Sequence, residues 1–131
     1  MVSLYFDGAS KSNPGQAGAG WYIKSDNNDI KNYKYLGIKT NNESEYMALI
    51  HGLENLVFEK ITEVTVYGDS LLVINQMKGL WKVKAHNLIS LHLKAKELAF
   101  RFKKIDFKHI ERKLNYVADN LANIAVSSTI I

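Results

Sequence analysis

The chain opens on an alternation. Val2, Leu4 and Phe6 share one side of a two-residue repeat, and Ser3, Tyr5 and Asp7 share the other, which predicts a first strand that arrives at a carboxylate. Small and polar residues follow as far as Gly20, with a turn signal at Asn13-Pro14-Gly15. Residues 21–24 and 31–38 predict two further strands joined by the polar stretch 25–29. The period then lengthens. Tyr46, Leu49, Ile50, Leu53, Leu56 and Val57 recur at helical spacing, predicting an amphipathic helix over 43–58.

The second half alternates the two patterns. Val64 and Val66 mark a short strand ending at Tyr67-Gly68, and a helix over about 70–77 follows it. A linker over 78–86 carries Gly79 and Trp81. Leu88, Leu91, Ala95, Leu98 and Phe102 mark a longer helix, with Asn87 as its N-cap. Residues 105–110 read as the last strand. Asn115 then caps a closing helix whose apolar side is Val117, Leu121 and Ile124. The order β-β-β-α-β-α-α-β-α implies an α/β fold with a five-stranded mixed sheet: an antiparallel meander, then crossover units with helices packed on the sheet.

Composition narrows the class. At 131 residues, with 47% hydrophobic and 23% charged positions, the chain reads as one globular domain spanning 1–131. No repeat, low-complexity tract or linker argues for a second domain. The absence of cysteine excludes disulfides, thiolate metal sites and thiol catalysis. No apolar run reaches membrane-spanning length. With the first strand beginning at Val2, no targeting segment is expected, and the expected setting is cytoplasmic with no membrane partner.

Charge is unevenly spread. Between Lys78 and Lys108 there are nine Lys and Arg against two acids, a local excess of +7 that leaves −3 for the rest of the chain. Such segregation suggests a face for polyanions, although a solvated helix face gives the same count.

Four carboxylates fall at element ends. Asp7 closes the first apolar run, Glu45 opens the first long helix, Asp69 follows the fourth strand, and Asp119 lies early in the last helix. Each has a structural alternative taken singly. Asp7 fits an Asp-Gly turn, Asn42-x-x-Glu45 has capping-box spacing, Asp69 fits an N-cap, and Asp119 suits a helix dipole. Together the acids repel, since a pair about 4 Å apart costs roughly 4 kcal/mol at an effective dielectric of 20. Divalent cations remove that cost, and an oxygen-only donor set points to Mg²⁺ or Mn²⁺. Two such ions suit in-line displacement at phosphorus. Carboxylates beside a basic surface therefore point to phosphodiester hydrolysis.

The motifs carry a resemblance. Asp7-Gly8-Ala9-Ser10 with Asn13-Pro14-Gly15, then Thr40-Asn41-Asn42-x-x-Glu45-Tyr46, then Gly68-Asp69-Ser70, and finally Arg112-x-x-Asn115-x-x-x-Asp119-x-Leu121-Ala122, resemble the type 1 ribonuclease H family nearly end to end. The resemblance implies the ribonuclease H-like fold. It also implies an endonuclease that cuts the RNA strand of RNA–DNA hybrids with two Mg²⁺ bound alongside substrate, leaving 5′-phosphate and 3′-hydroxyl ends. Mn²⁺ is an alternative ion. By the same resemblance Asp7, Glu45, Asp69 and Asp119 take the metal-ligand positions.

Polar neighbours gain roles by the same comparison. Asn13, Asn41 and Asn42 match positions near the minor groove, where an amide can satisfy both faces of a 2′-hydroxyl. Thr40 matches a position that holds a DNA phosphate. Trp81, with Lys82 and Lys84 close by, matches packing on the DNA backbone, although a core-edge aromatic is the alternative. His109 and Arg112 are candidates for assisting proton transfer or product release. The setting of His109, His109-Ile110-Glu111-Arg112, departs from a glycine-rich loop, and the linker over 78–86 is shorter than the basic insertion of some members. No accessory hybrid-binding domain is expected, and the protein is expected to act as a monomer. His51, His86 and His92 show no partner pattern. The competing readings are a nuclease acting mainly on double-stranded RNA, strand transfer by a related fold, and a non-catalytic nucleic-acid-binding module. Clustered anions argue against the binding module, since they would gain it nothing beside phosphates.

Overall fold

A computed structural model describes residues 1–128. Strands β1 (Ser3–Ser10), β2 (Gly15–Lys24) and β3 (Ile30–Lys39) form the meander, followed by helix α1 (Asn41–Phe58) and strand β4 (Glu63–Gly68). Helices α2 (Leu71–Met77) and α3 (His86–Phe100), strand β5 (Lys104–His109), a 3₁₀ turn (Arg112–Asn115) and helix α4 (Tyr116–Ser127) complete the order. The sheet runs β3-β2-β1-β4-β5, with β1, β2 and β3 antiparallel and β4 and β5 parallel to β1. The expected α/β class and mixed five-stranded sheet are what the chain forms.

The two faces of β1 and β2 explain the layers. Leu4, Phe6, Ala19, Trp21 and Ile23 point into one core with Leu49, Leu53 and Leu56 of α1 and Leu88, Ala95 and Leu98 of α3. The alternate residues Gly18 and Gly20 face α4. A Cβ on Gly20 would meet the Ala118 carbonyl at 2.4 Å, so the helix rests directly on strand backbone. This contact corrects two expectations. Strand β2 starts at Gly15 rather than at 21, because its small residues are a helix-packing surface and not a loop. The buried stripe of α4 is Ala118, Leu121, Ala122, Ala125 and Val126, whereas Ile124 is exposed. Only small side chains allow so close an approach.

Three helix boundaries also move. Helix α1 starts at Asn41 rather than 43, capped by Thr40. Helix α3 starts at His86 after Ala85, with no side-chain cap, so Asn87 is not its N-cap. Phe102 lies beyond the end of α3 yet is still buried in the core.

Candidate active site

Asp7 lies inside β1 rather than at its end. It pairs across the ladder with Gly20, its side chain is 4% exposed, and β1 continues to Ser10. Next to it, Gly8 is crossed by the first turns of α1: a Cβ there would meet the Ser44 carbonyl carbon at 2.3 Å and the Glu45 nitrogen at 2.4 Å. That close crossing carries Glu45 to Asp7. The Gly8 amide then donates to Oε1 of Glu45 at 3.2 Å.

Capping chemistry is done by other residues. The capping box of α1 is Thr40 with Glu43: Oγ1 of Thr40 accepts the Glu43 amide at 3.1 Å, and Glu43 accepts the Thr40 amide at 2.8 Å. The capping-box alternative for Asn42 and Glu45 is thereby excluded. Likewise Ser70, not Asp69, caps α2 by accepting from the Val73 amide. Glu45 and Asp69 are both released from helix-end duty.

One carboxylate oxygen from each of Asp7, Glu45 and Asp69 lies within 4.8 Å of the others. Asp119, in the first turn of α4, lines the same cleft of about 370 Å³ but stands outside that tight trio, with Oδ1 3.7 Å from the Arg112 guanidinium. Burial, followed by the Asp69 charge and a hydrogen bond with Asp119, pushes the Asp7 carboxyl up to about 8. Glu45 is also raised well above the carboxylate range, by burial and then by the charges of Asp7 and Asp69. Crowded anions in a low-dielectric cleft therefore retain protons until cations replace them. A hard, oxygen-only donor set with this spacing fits Mg²⁺ or Mn²⁺.

Relatives share the fold that carries this cleft. The family profile described as "Reverse transcriptase-like" matches residues 5–125. The crystal structure of RNase H1 from the archaeon Halobacterium salinarum superimposes with a TM-score of 0.92 at 36% identity, over 97% of this chain and 98% of that one. The chain belongs to the type 1 ribonuclease H family. A second ribonuclease H1, LC11-RNase H1 solved in complex with an RNA/DNA hybrid, aligns over 100% of both chains at 35% identity and a TM-score of 0.93. A bifunctional protein of Mycobacterium tuberculosis is 40% identical over 130 residues, and this chain spans only 36% of its length.

The remaining expected site residues are grouped unevenly. Oδ1 of Asn13 accepts the Asn41 amide at 3.0 Å, which joins the β1–β2 turn, with its cis Asn13–Pro14 bond, to the start of α1. Asn41 lines the acid cleft, and Asn42 is exposed on the same first turn. The Thr40 hydroxyl oxygen serves the cap. Trp81 is 45% exposed, and Lys82 and Lys84 are exposed beside it. His109 places Nε2 3.2 Å from the Asp69 carbonyl oxygen, so it touches the backbone of an acid residue rather than a carboxylate.

Asn115 was expected only as a cap. It makes no side-chain cap bond. Instead its buried amide donates to the Phe6 carbonyl at 2.9 Å and to Oδ2 of Asp69 at 3.2 Å. It thus ties β1, the end of β4 and the start of α4 into one frame around the acids. The spacing of Arg112, Asn115 and Asp119 was the available signal, since residues three and four apart share a helix side. Two histidines also have partners that sequence did not reveal. His51 stacks on Trp21 at 5.2 Å, and His92 meets Tyr46 at 3.2 Å.

Proposed function

We propose that this ribonuclease H hydrolyses the RNA strand of RNA–DNA hybrids, leaving 5′-phosphate and 3′-hydroxyl ends. The observation that carries the reading is the convergence of Asp7, Glu45 and Asp69 within 4.8 Å, with Asp119 on the same cleft wall. In this reading all four acids are metal ligands. Two divalent cations, Mg²⁺ by preference and Mn²⁺ as an alternative, would supply charge neutralisation and Lewis acidity for in-line displacement at phosphorus.

The chain's own residues fix the geometry. The Gly8 amide orients Glu45, Asn115 orients Asp69, and Arg112 restrains Asp119. Arg112, 80% exposed at its side chain, can release that carboxylate and turn to a phosphate. His109 is the second candidate for assisting product release. Asn13, Asn41 and Asn42 read 2′-hydroxyls from a turn and helix end that are bonded to each other. Thr40 holds a DNA-strand phosphate through its hydroxyl proton, its oxygen being engaged at the cap. Trp81, Lys82 and Lys84 receive the DNA backbone.

Residues 1–131 act as one catalytic domain and as a monomer in this reading, because all four acids come from one chain. Among the described residues no helix is long and apolar enough to cross a membrane. The cytoplasm, where Mg²⁺ and nucleic acids coexist, is the proposed setting. The test is cleavage of a labelled hybrid beside double-stranded RNA, double-stranded DNA and single strands, with Mg²⁺, Mn²⁺ or EDTA. Metal-dependent cutting of the hybrid's RNA strand is expected. Equal cutting of duplex DNA, preference for double-stranded RNA, or full activity in EDTA would overturn the reading.

A further inference from the structure

Behind the acid cleft, a polar chain runs through the core. The hydroxyl of Tyr46 lies 2.6 Å from Oε1 of Gln76, and Nε2 of Gln76 lies 3.3 Å from the carbonyl oxygen of Lys82. Tyr46 is 0% exposed and Gln76 is 4% exposed. A carbonyl only accepts, so the nitrogen end of the Gln76 amide must face Lys82. That fixes the oxygen end toward Tyr46 and makes the Tyr46 hydroxyl its donor. With its one proton committed, Tyr46 can only accept from Nδ1 of His92, 3.2 Å away. Every proton in the chain therefore has one direction, from α3 through α1 to α2 and into the linker after α2.

Among the described residues, the other backbone hydrogen bonds of residues 79–84 go to the end of α2. Gly79, at φ +80°, follows the C-cap Lys78 in the left-handed conformation. The Gly79 amide bonds the Gln76 carbonyl at 3.1 Å and the Leu80 amide bonds the Asn75 carbonyl at 2.9 Å. This pair is a Schellman closure. The Trp81 amide shares the Asn75 carbonyl at 3.2 Å. Beyond Trp81, the Gln76 side chain is what restrains the Lys82 carbonyl. Leu80, Trp81, Lys82 and Lys84 are exposed, and Val83 alone of residues 80–84 is half-buried against the core, so the segment has one apolar anchor and one side-chain hydrogen bond to its backbone.

We infer that Gln76, locked by Tyr46 and His92, is a positioning residue that sets the Trp81–Lys84 segment in place to receive the nucleic-acid backbone. The inference rests on the proposed function for its kinetic consequence and on the hydrogen bonds alone for its structural one. A buried glutamine and tyrosine with a half-buried histidine are a costly way to fill a core, and apolar residues of similar volume would pack as well. Their common product is one oriented bond to the linker backbone. Tyr46 directly follows the acid Glu45, so the same turn of α1 that supplies the cleft also anchors the surface beside it.

The test uses Tyr46→Phe, which keeps the ring and frees the Gln76 amide, and Gln76→Glu, which keeps the shape but removes the donor to Lys82. Loss of one such bond should speed hydrogen exchange across residues 82–84 by about fivefold, with α1 still protected. In steady-state cleavage of the hybrid, KM should rise about three- to tenfold with kcat within about twofold of the parent, because a backbone-binding segment positions rather than reacts. Combined with Trp81→Ala and Lys82→Ala, either variant should add almost nothing more to KM. Unchanged exchange over 82–84 would overturn the inference even if KM moved, and so would fully additive KM effects. A parent that cuts no hybrid would overturn the proposed function, and the exchange measurement would still decide this one.

Discussion

The Gly8 amide and the Glu45 carboxylate meet at 3.2 Å because α1 crosses β1 where no side chain stands in the way. A Cβ on Gly8 would fall 2.3–2.5 Å from the backbone of Ser44 and Glu45. Helix and strand backbone cannot share that space, so a methyl group forces the start of α1 outward. The glycine thus couples packing directly to site geometry.

Gly8→Ala should therefore damage both. Overpacking of this kind costs about 1–3 kcal/mol, read as a lower urea midpoint. Activity should fall by about a hundredfold or more, because a displacement on the order of 1 Å at a catalytic group has that effect. A stable, active variant would show that Glu45 does not need its present position.

How much of this was legible beforehand depends on the residue. The order and type of elements followed from periodicity, because Leu4, Phe6, Leu49 and Leu53 report a face directly. The extent of β2 did not, because Gly18 and Gly20 look like a loop until α4 is known to rest on them. The acids were legible as a set, yet their release from capping was not. Only the fold reveals that Glu43 and Ser70 take over those duties. Asn115 shows the limit most clearly. Its position just before the last helix was readable, but its two bonds reach residues 109 and 46 positions away in sequence. Long-range partners of one amide leave no local pattern.

The basic segment gives the second prediction. Lys82 and Lys84 are exposed next to Trp81 and make no ion pair among the described residues. Reversing both to Glu should raise KM and flatten its salt dependence, since each phosphate contact contributes about one unit of counterion slope. The value of kcat should be largely spared. A salt titration of KM in which slope and intercept both stay put would reduce the two lysines to solvated surface.

The third prediction concerns pH in the metal-free protein. The Asp7 carboxyl is held at about 8 in the fold against a reference value of 3.8. Between those values the folded state binds more protons than the unfolded one, so stability falls as pH rises through the window. It is greatest below pH 3.8 for this group and fully lost above about 8. Urea midpoints in EDTA should show this loss, and the parent curve minus the Asp7→Asn curve isolates it from the rest of the charge. Stabilisation by Mg²⁺ should grow over the same window, since cations displace those protons. A parent that gains stability over the variant with rising pH in EDTA would contradict the crowding.

Asp7→Asn separates catalytic strain from structural need. If Asp7 only shaped the strand, an amide in its place would leave activity intact and leave stability unchanged or lower. Its actual neighbours are Glu45 and Asp69, with oxygens inside 4.8 Å, and burial that opposes its charge. An amide in its place spares the apo protein the cost of holding that carboxyl protonated at neutral pH, where the unfolded chain ionises it. A gain on the order of 1–3 kcal/mol is expected, smaller than the bare Coulomb figure because one side of the cleft is open to solvent. Cleavage should be abolished, and Mg²⁺ should raise the melting temperature of the variant less than that of the parent. Stability and activity would then move in opposite directions, as they do where a site is built against its own stability. Calorimetry in EDTA and in Mg²⁺, beside a cleavage assay, reads all three quantities. An active variant, or one that melts earlier than the parent in EDTA at neutral pH, would make Asp7 a strand residue and nothing more.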